Sequence, residues 1–135
     1  MCHNLVMTHE QFLSIVKKIA SSDTSSDPEG WTIDNPLWGH CANVALLAQD
    51  YFGGELTRGS LEGSEKYKHL RSHFWNKLSE TDEVDFTEEQ FPIRPNFTEI
   101  GIRSRDDVLN YPDTKRRYEL LKETFNDLLK TRQNR

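Results

Sequence analysis

Residues 38–54, Trp-Gly-His-Cys-Ala-Asn-Val-Ala-Leu-Leu-Ala-Gln-Asp-Tyr-Phe-Gly-Gly, constrain this chain more than any other stretch. A loop with Pro36 and Gly39 runs directly into an apolar helical pattern. Val44, Leu47, Ala48 and Tyr51 stand at i, i+3, i+4 and i+7, one face of a helix. Gly53-Gly54 then stops it, so a helix is expected over 40–52. A helix this apolar needs other elements to cover it. Its first turn carries Cys41, where free N–H groups and the positive end of the helix dipole favour thiolate over thiol.

The remaining elements follow from local signals. Residues 1–7 read as a frayed terminus. Thr8-His9-Glu10-Gln11 reads as a capping box, and Phe12, Ile15, Val16 and Ile19 follow at helical spacing, giving a helix over 8–20. The polar segment 21–30 is a loop, and Trp31 to Trp38 is an irregular approach expected to form one wall of a cleft beside the Cys41 helix. Antiparallel strands are expected within 55–91, notably 55–58, 70–78 and 83–87, the last alternating cleanly. Pro92 and Pro95 break the next segment. C-terminal helices are expected over 104–132, with Tyr118, Leu121, Phe125, Leu128 and Leu129 as the apolar stripe of the last one. The sum is one α+β domain, residues 1–135, with a small antiparallel sheet packed against helices.

Composition excludes several function classes. A formal net charge of −5 argues against a general nucleic-acid binder. Charge is segregated: Glu80, Asp82, Glu83, Asp85, Glu88 and Glu89 cluster in one hairpin, whereas Lys115, Arg116, Arg117, Lys122, Lys130 and Arg132 line the last helix. The longest apolar run is far too short to cross a bilayer, and no signal peptide is evident. A cytoplasmic protein is the expectation. Cys2 and Cys41 are the two cysteines, too few for a disulfide framework.

Cys41, His73 and Asp85 form the constellation that carries chemistry. A thiol nucleophile needs a base, and the base needs a third group to fix its tautomer. His73 and Asp85 share a sheet face only if the strands pair with an even residue-number sum. Pairing Leu78 with Asp82 satisfies this, sets Trp75 opposite Asp85, and leaves His73 diagonal to Asp85. His69, four residues before His73, is a reserve base. His40 joins the same three as a possible zinc ligand set by residue type alone, but no close ligand pair supports it, and neither metal nor cofactor is expected.

The motifs Gly39-His40-Cys41-Ala42, His73-Phe74-Trp75-Asn76 and Val84-Asp85-Phe86-Thr87 resemble the transglutaminase-like branch of the papain-like cysteine hydrolases. That resemblance covers only these motifs. It implies a papain/transglutaminase-like core, a Cys41–His73–Asp85 triad, and acyl transfer: hydrolysis of an amide, ester or isopeptide, or transfer to an amine. More closely, residues 31–125 resemble the YunG-like family of small bacterial proteins, which implies no settled activity. Papain-like enzymes often place a glutamine about six residues before the nucleophile as an oxyanion donor. Here Asn35 stands there, followed by Pro36. Besides the Cys41 N–H, the candidates for oxyanion or substrate contacts are Asn35, Trp38, Trp75 and Asn76.

Two function classes follow. One is a thiol-dependent acyl-transfer enzyme acting on a small-molecule or peptide substrate. The other is a non-catalytic binding module of the same fold that uses the tryptophan-lined cleft or the basic last helix. A cleft lying over hairpin 79–89 would present an acidic rim and favour cationic or amine-bearing substrates.

Overall fold

The computed structural model describes residues 6–133; most of the expected frayed terminus, including Cys2, lies outside them. The elements run α1 (His9–Ile19), α2 (Cys41–Phe52), β1 (Glu55–Ser60), β2 (Ser72–Ser79), β3 (Asp82–Val84), β4 (Thr98–Arg103), α3 (Arg105–Leu109) and α4 (Thr114–Gln133). The four strands form one antiparallel sheet in the order β3-β2-β1-β4. The protein is a mixed α+β domain in which α2 packs on β2 and β1 and is covered in turn by α4. No helix among the described residues is long and apolar enough to cross a membrane.

Local chemistry explains the helices. Thr8 Oγ1 accepts from the Gln11 amide while Gln11 Oε1 accepts from the Thr8 amide, each at 3.0 Å, so α1 starts with two of its orphan donors satisfied. In α2 burial extends right round the helix: Val44, Leu46, Leu47 and Ala48 are fully buried, whereas Tyr51 is 37% exposed. Gly53 and Gly54 end α2 with φ near +73° and +79°. At Gly54 a Cβ would sit 2.3 Å from the Lys77 carbonyl oxygen, so the turn back into β1 admits no side chain.

Alternation sorts β2 onto two faces. Phe74 and Asn76 turn toward α2, where Asn76 Nδ2 donates to the Ala45 carbonyl at 2.9 Å. His73 and Trp75 turn to the opposite face and are covered by the segment after β3, with Phe97 5.2 Å from both rings. Gly59 allows this cover: a Cβ there would lie 2.7 Å from Phe97 Cβ. Leu61, Tyr67 and Phe91 form a second small core beneath it.

Two segments depart from expectation. β3 ends at Val84, not Thr87, because the Asp85 carboxylate turns back to accept from the Thr87 amide at 3.2 Å and starts a turn. β4 lies outside the 55–91 range expected for the strands. It has no alternating signature, and its Ile100 and Ile102 are 59% and 44% exposed. Pairing with β1, more than forty residues away for Leu56↔Arg103, makes it a strand.

Candidate active site

The His73 ring is fully buried between Phe97, stacked at 13°, and Phe91, edge-on at 4.9 Å. Its Nε2 donates to Asp85 Oδ2 at 2.6 Å. Asp85 accepts three further bonds: Arg94 Nη1 on the same oxygen at 3.0 Å, and the Thr87 amide and hydroxyl on the other at 3.2 and 3.3 Å. Burial opposes the Asp85 charge, but the His73 and Arg94 contacts outweigh it and hold the carboxyl below its ordinary value. The contacts thus favour the charged carboxylate.

Because Nε2 is committed to Asp85, only Nδ1 of His73 remains for other chemistry. Nδ1 is buried and has no hydrogen-bond partner among the described residues. The Cys41 sulfur lies close enough to help raise the His73 pKa. It makes no well-formed hydrogen bond to Nδ1, approaching instead the Ser72 carbonyl oxygen at 3.8 Å. Burial alone would lower the His73 pKa; Asp85 and Cys41 together overcome this and raise it to about 9. The register brings this about. Asn76↔Val84 and Lys77↔Glu83 share the even sum expected for the two strands, and a slip at Ser79↔Asp82 replaces the expected Leu78–Asp82 pair.

Cys41 is half-buried at the first residue of α2. No side chain caps this helix. The first intrahelical bond runs from the Val44 amide to the His40 carbonyl, leaving the amides of Cys41, Ala42 and Asn43 without an acceptor of that kind. Gly39, at φ +74°, makes the turn that delivers Cys41. Beside it, His40 Nδ1 donates to the Trp38 carbonyl at 2.9 Å, so Nε2 accepts from Thr24 Oγ1 at 2.6 Å. Burial, chiefly, lowers the His40 pKa to about 4 and keeps the ring neutral. Both nitrogens of His40 are thus consumed by structure. No group of three or more His, Cys, Asp or Glu able to hold a metal occurs among the described residues.

Cys41 opens onto a cleft of about 350 Å³. Its aromatic wall is Phe74 and Tyr111, not the tryptophans expected from 31–38. The four other candidates are engaged elsewhere. Asn35 Nδ2 donates to the Gln90 carbonyl, Trp38 Nε1 to Asp27 Oδ2, Trp75 Nε1 to Glu83 Oε1, and Asn76 to Ala45. None of them lines the cleft. His69 does, but on a short 3-10 helix (Lys68–Leu70), 3.7 Å from Asp27 and not on the strand with His73. The hairpin carboxylates Glu83 and Glu88 line a different recess, with Trp75, Asp85 and Arg94. The acidic rim expected over the cleft is therefore not there.

Sequence reasoning missed Arg94 and Gln90, and named Thr87 only within a motif and Arg117 only as one cation of the basic last helix. Gln90, fully buried, joins the two halves of the site: Oε1 accepts from the Gly39 amide at 3.2 Å and Nε2 donates to the Thr87 carbonyl at 3.2 Å. Arg117, four residues before Leu121, sits at the edge of the apolar stripe of α4, a spacing that was available as a signal.

No solved structure shows a significant match to the chain. A protein from Bacillus subtilis (strain 168), "Uncharacterized protein YunG", is 32% identical over 120 residues, covering 88% of this chain and 90% of the relative. The family model described as "YunG protein" matches residues 8–130, and the chain belongs to that family.

Proposed function

We propose that the protein is a thiol-dependent acyl-transfer enzyme with Cys41 as nucleophile, His73 as acid and base, and Asp85 as the group that orients His73. One observation carries this reading: His73 is pinned through Nε2 to Asp85, lies near enough to the Cys41 sulfur to interact with it, and has no other partner for Nδ1 among the described residues. The chain order Cys41, His73, Asp85 agrees with the transglutaminase-like branch of the papain-like hydrolases, and a core of that type is part of the proposal.

The steps follow from these atoms. Cys41 Sγ, as thiolate beside the His73 imidazolium, attacks the acyl carbon, and an S–C bond forms. The developing oxyanion faces the Cys41 amide at the uncapped start of α2. As the C–N or C–O bond breaks, Nδ1–H gives its proton to the leaving group, leaving a thioester. Water or an amine then adds, Nδ1 takes its proton, and the S–C bond breaks to return the thiolate.

A binding module of the same fold is the competing reading. It draws on the complete burial of His73 and on the engagement of Asn35, Trp38 and Asn76 in structural bonds. Alkylation by iodoacetamide at neutral pH, in a Cys2→Ser background, separates the two. The enzyme reading expects Cys41 to react faster than the same residue in the urea-unfolded chain, and His73→Ala to slow it about tenfold or more. A folded rate at or below the unfolded one, unchanged in His73→Ala, refutes it.

A further inference from the structure

The cleft in front of Cys41 is basic, although the protein as a whole carries a net charge of −5. Arg71 and Arg117 line it, against Asp27 as the carboxylate of the wall. Asp27 is already bound by Trp38 Nε1 at 2.9 Å and faces His69 at 3.7 Å.

Arg117 is 7% exposed, an unusual position for a guanidinium. Its Nη1 reaches the Pro112 carbonyl at 3.3 Å and Asp113 Oδ2 at 3.4 Å, and its Nη2 reaches Thr114 Oγ1 at 3.2 Å. Asp113 neutralises it only in part: that carboxylate is also held by Arg116 through two bonds of 2.7 Å, so two guanidiniums share one charge. Nε of Arg117 is buried with no partner among the described residues. A buried cation with an unused donor is costly unless an anion completes it.

Arg71 supplies the second observation. It has φ +66° and ψ −49°, a region that non-glycine residues rarely occupy, immediately before Ser72 and His73. Its amide and carbonyl are both fixed, to the Lys68 carbonyl and the Leu61 amide, so the backbone holds this exposed cation on the cleft wall. No ion pair to a carboxylate engages its side chain among the described residues.

We propose that the cleft selects acyl substrates bearing a carboxylate near the reacting carbonyl, with Arg117 and Arg71 holding that carboxylate while Cys41 faces the acyl carbon. The proposal rests on the acyl-transfer reading and reverses the cationic preference expected from an acidic rim.

Two probes that differ in one group test it: iodoacetate, which carries a carboxylate beside the electrophilic carbon, and iodoacetamide, which is neutral. Rates at Cys41 are measured in the Cys2→Ser protein, and their ratio is compared with the ratio in the same chain unfolded in urea. The ratio cancels any change in the state of the thiol itself. Folding is expected to raise the iodoacetate-to-iodoacetamide ratio about tenfold, and Arg71→Gln or Arg117→Gln to remove most of that gain. Arg71→Gln is a surface change, so it serves where Arg117→Gln does not fold. A ratio equal to that of the unfolded chain, or one indifferent to Arg71→Gln, overturns the proposal. A raised ratio with an iodoacetamide rate no faster than in the unfolded chain instead overturns the acyl-transfer reading and leaves an anion-binding cleft.

Discussion

Replacing Asp85 by Asn tests the electrostatics of the site through stability, without any substrate. The side chain keeps its shape, but the charge that holds His73 protonated is lost. In the native protein His73 titrates near 9, against an ordinary 6.5. Between those values the folded chain keeps a proton that the unfolded chain has released. The stabilisation is therefore complete below pH 6.5 and is lost as pH rises through about 9. A shift of that size corresponds to roughly 3 kcal/mol, a large share of the total for a domain of this length. In Asp85→Asn, burial, the largest influence on His73, is opposed only by Cys41, and the pKa falls back toward or below 6.5. Urea unfolding of both proteins at about pH 6 and about pH 10 should show the stability gap shrinking by roughly 3 kcal/mol at the higher pH. What remains at high pH reports the lost Arg94 and Thr87 contacts. A gap independent of pH would mean that Asp85 does not set the charge of His73, and the triad argument would fail with it.

His40 should behave in the opposite sense. Its pKa is lowered to about 4, so its contribution is complete above 6.5 and is lost by roughly 3 kcal/mol as pH falls through 4. Urea melts of His40→Gln should accordingly show a weaker loss of stability in acid than the native protein. Together the two histidines give stability a maximum near pH 6.5, falling on both sides, visible in Tm against pH. Gly39→Ala should cost about 2–4 kcal/mol in urea melts, since its Cβ would lie 2.2 Å from Ser25 Oγ at a φ of +74°. Arg94→Gln should cost less than about 1 kcal/mol, because the Arg94 side chain is half exposed and Asp85 keeps its other three bonds.

What was legible in the sequence was local or periodic. The Thr8–Gln11 cap, the apolar run of α2 and the Gly53-Gly54 stop are signals contained within a few residues, and the structure has helix ends there. The approach of His73 to Asp85 was legible for a subtler reason: side-chain alternation makes facing a question of parity, and parity survives the slip at Ser79. The details that failed depend on distant partners. β4 exists because β1 presents an open edge, which nothing in residues 98–103 announces. Arg117 reads as one more cation on a solvated helix until the first turn of α4 is seen beside the loop that leads to Cys41. Trp38 and Asn76 looked available because a sequence lists donors without showing which acceptors they already hold.

Gln90 gives the site a mechanical property. Its side chain bonds at one end to Gly39, two residues before the thiol, and at the other to Thr87, two residues after the carboxylate. Its own carbonyl holds Asn35. Opening the turn that carries Asp85 therefore breaks the bonds that seat the start of α2, and loosening that start frees the turn. Such a crosspiece merges two surface segments into a single cooperative unit, which opens as a whole or not at all. The 85–91 turn is thus unsuited to act as a lid: the cleft onto which Cys41 opens is lined by Arg71 and Tyr111, while Asp85 lines a separate recess with Trp75 and Arg94.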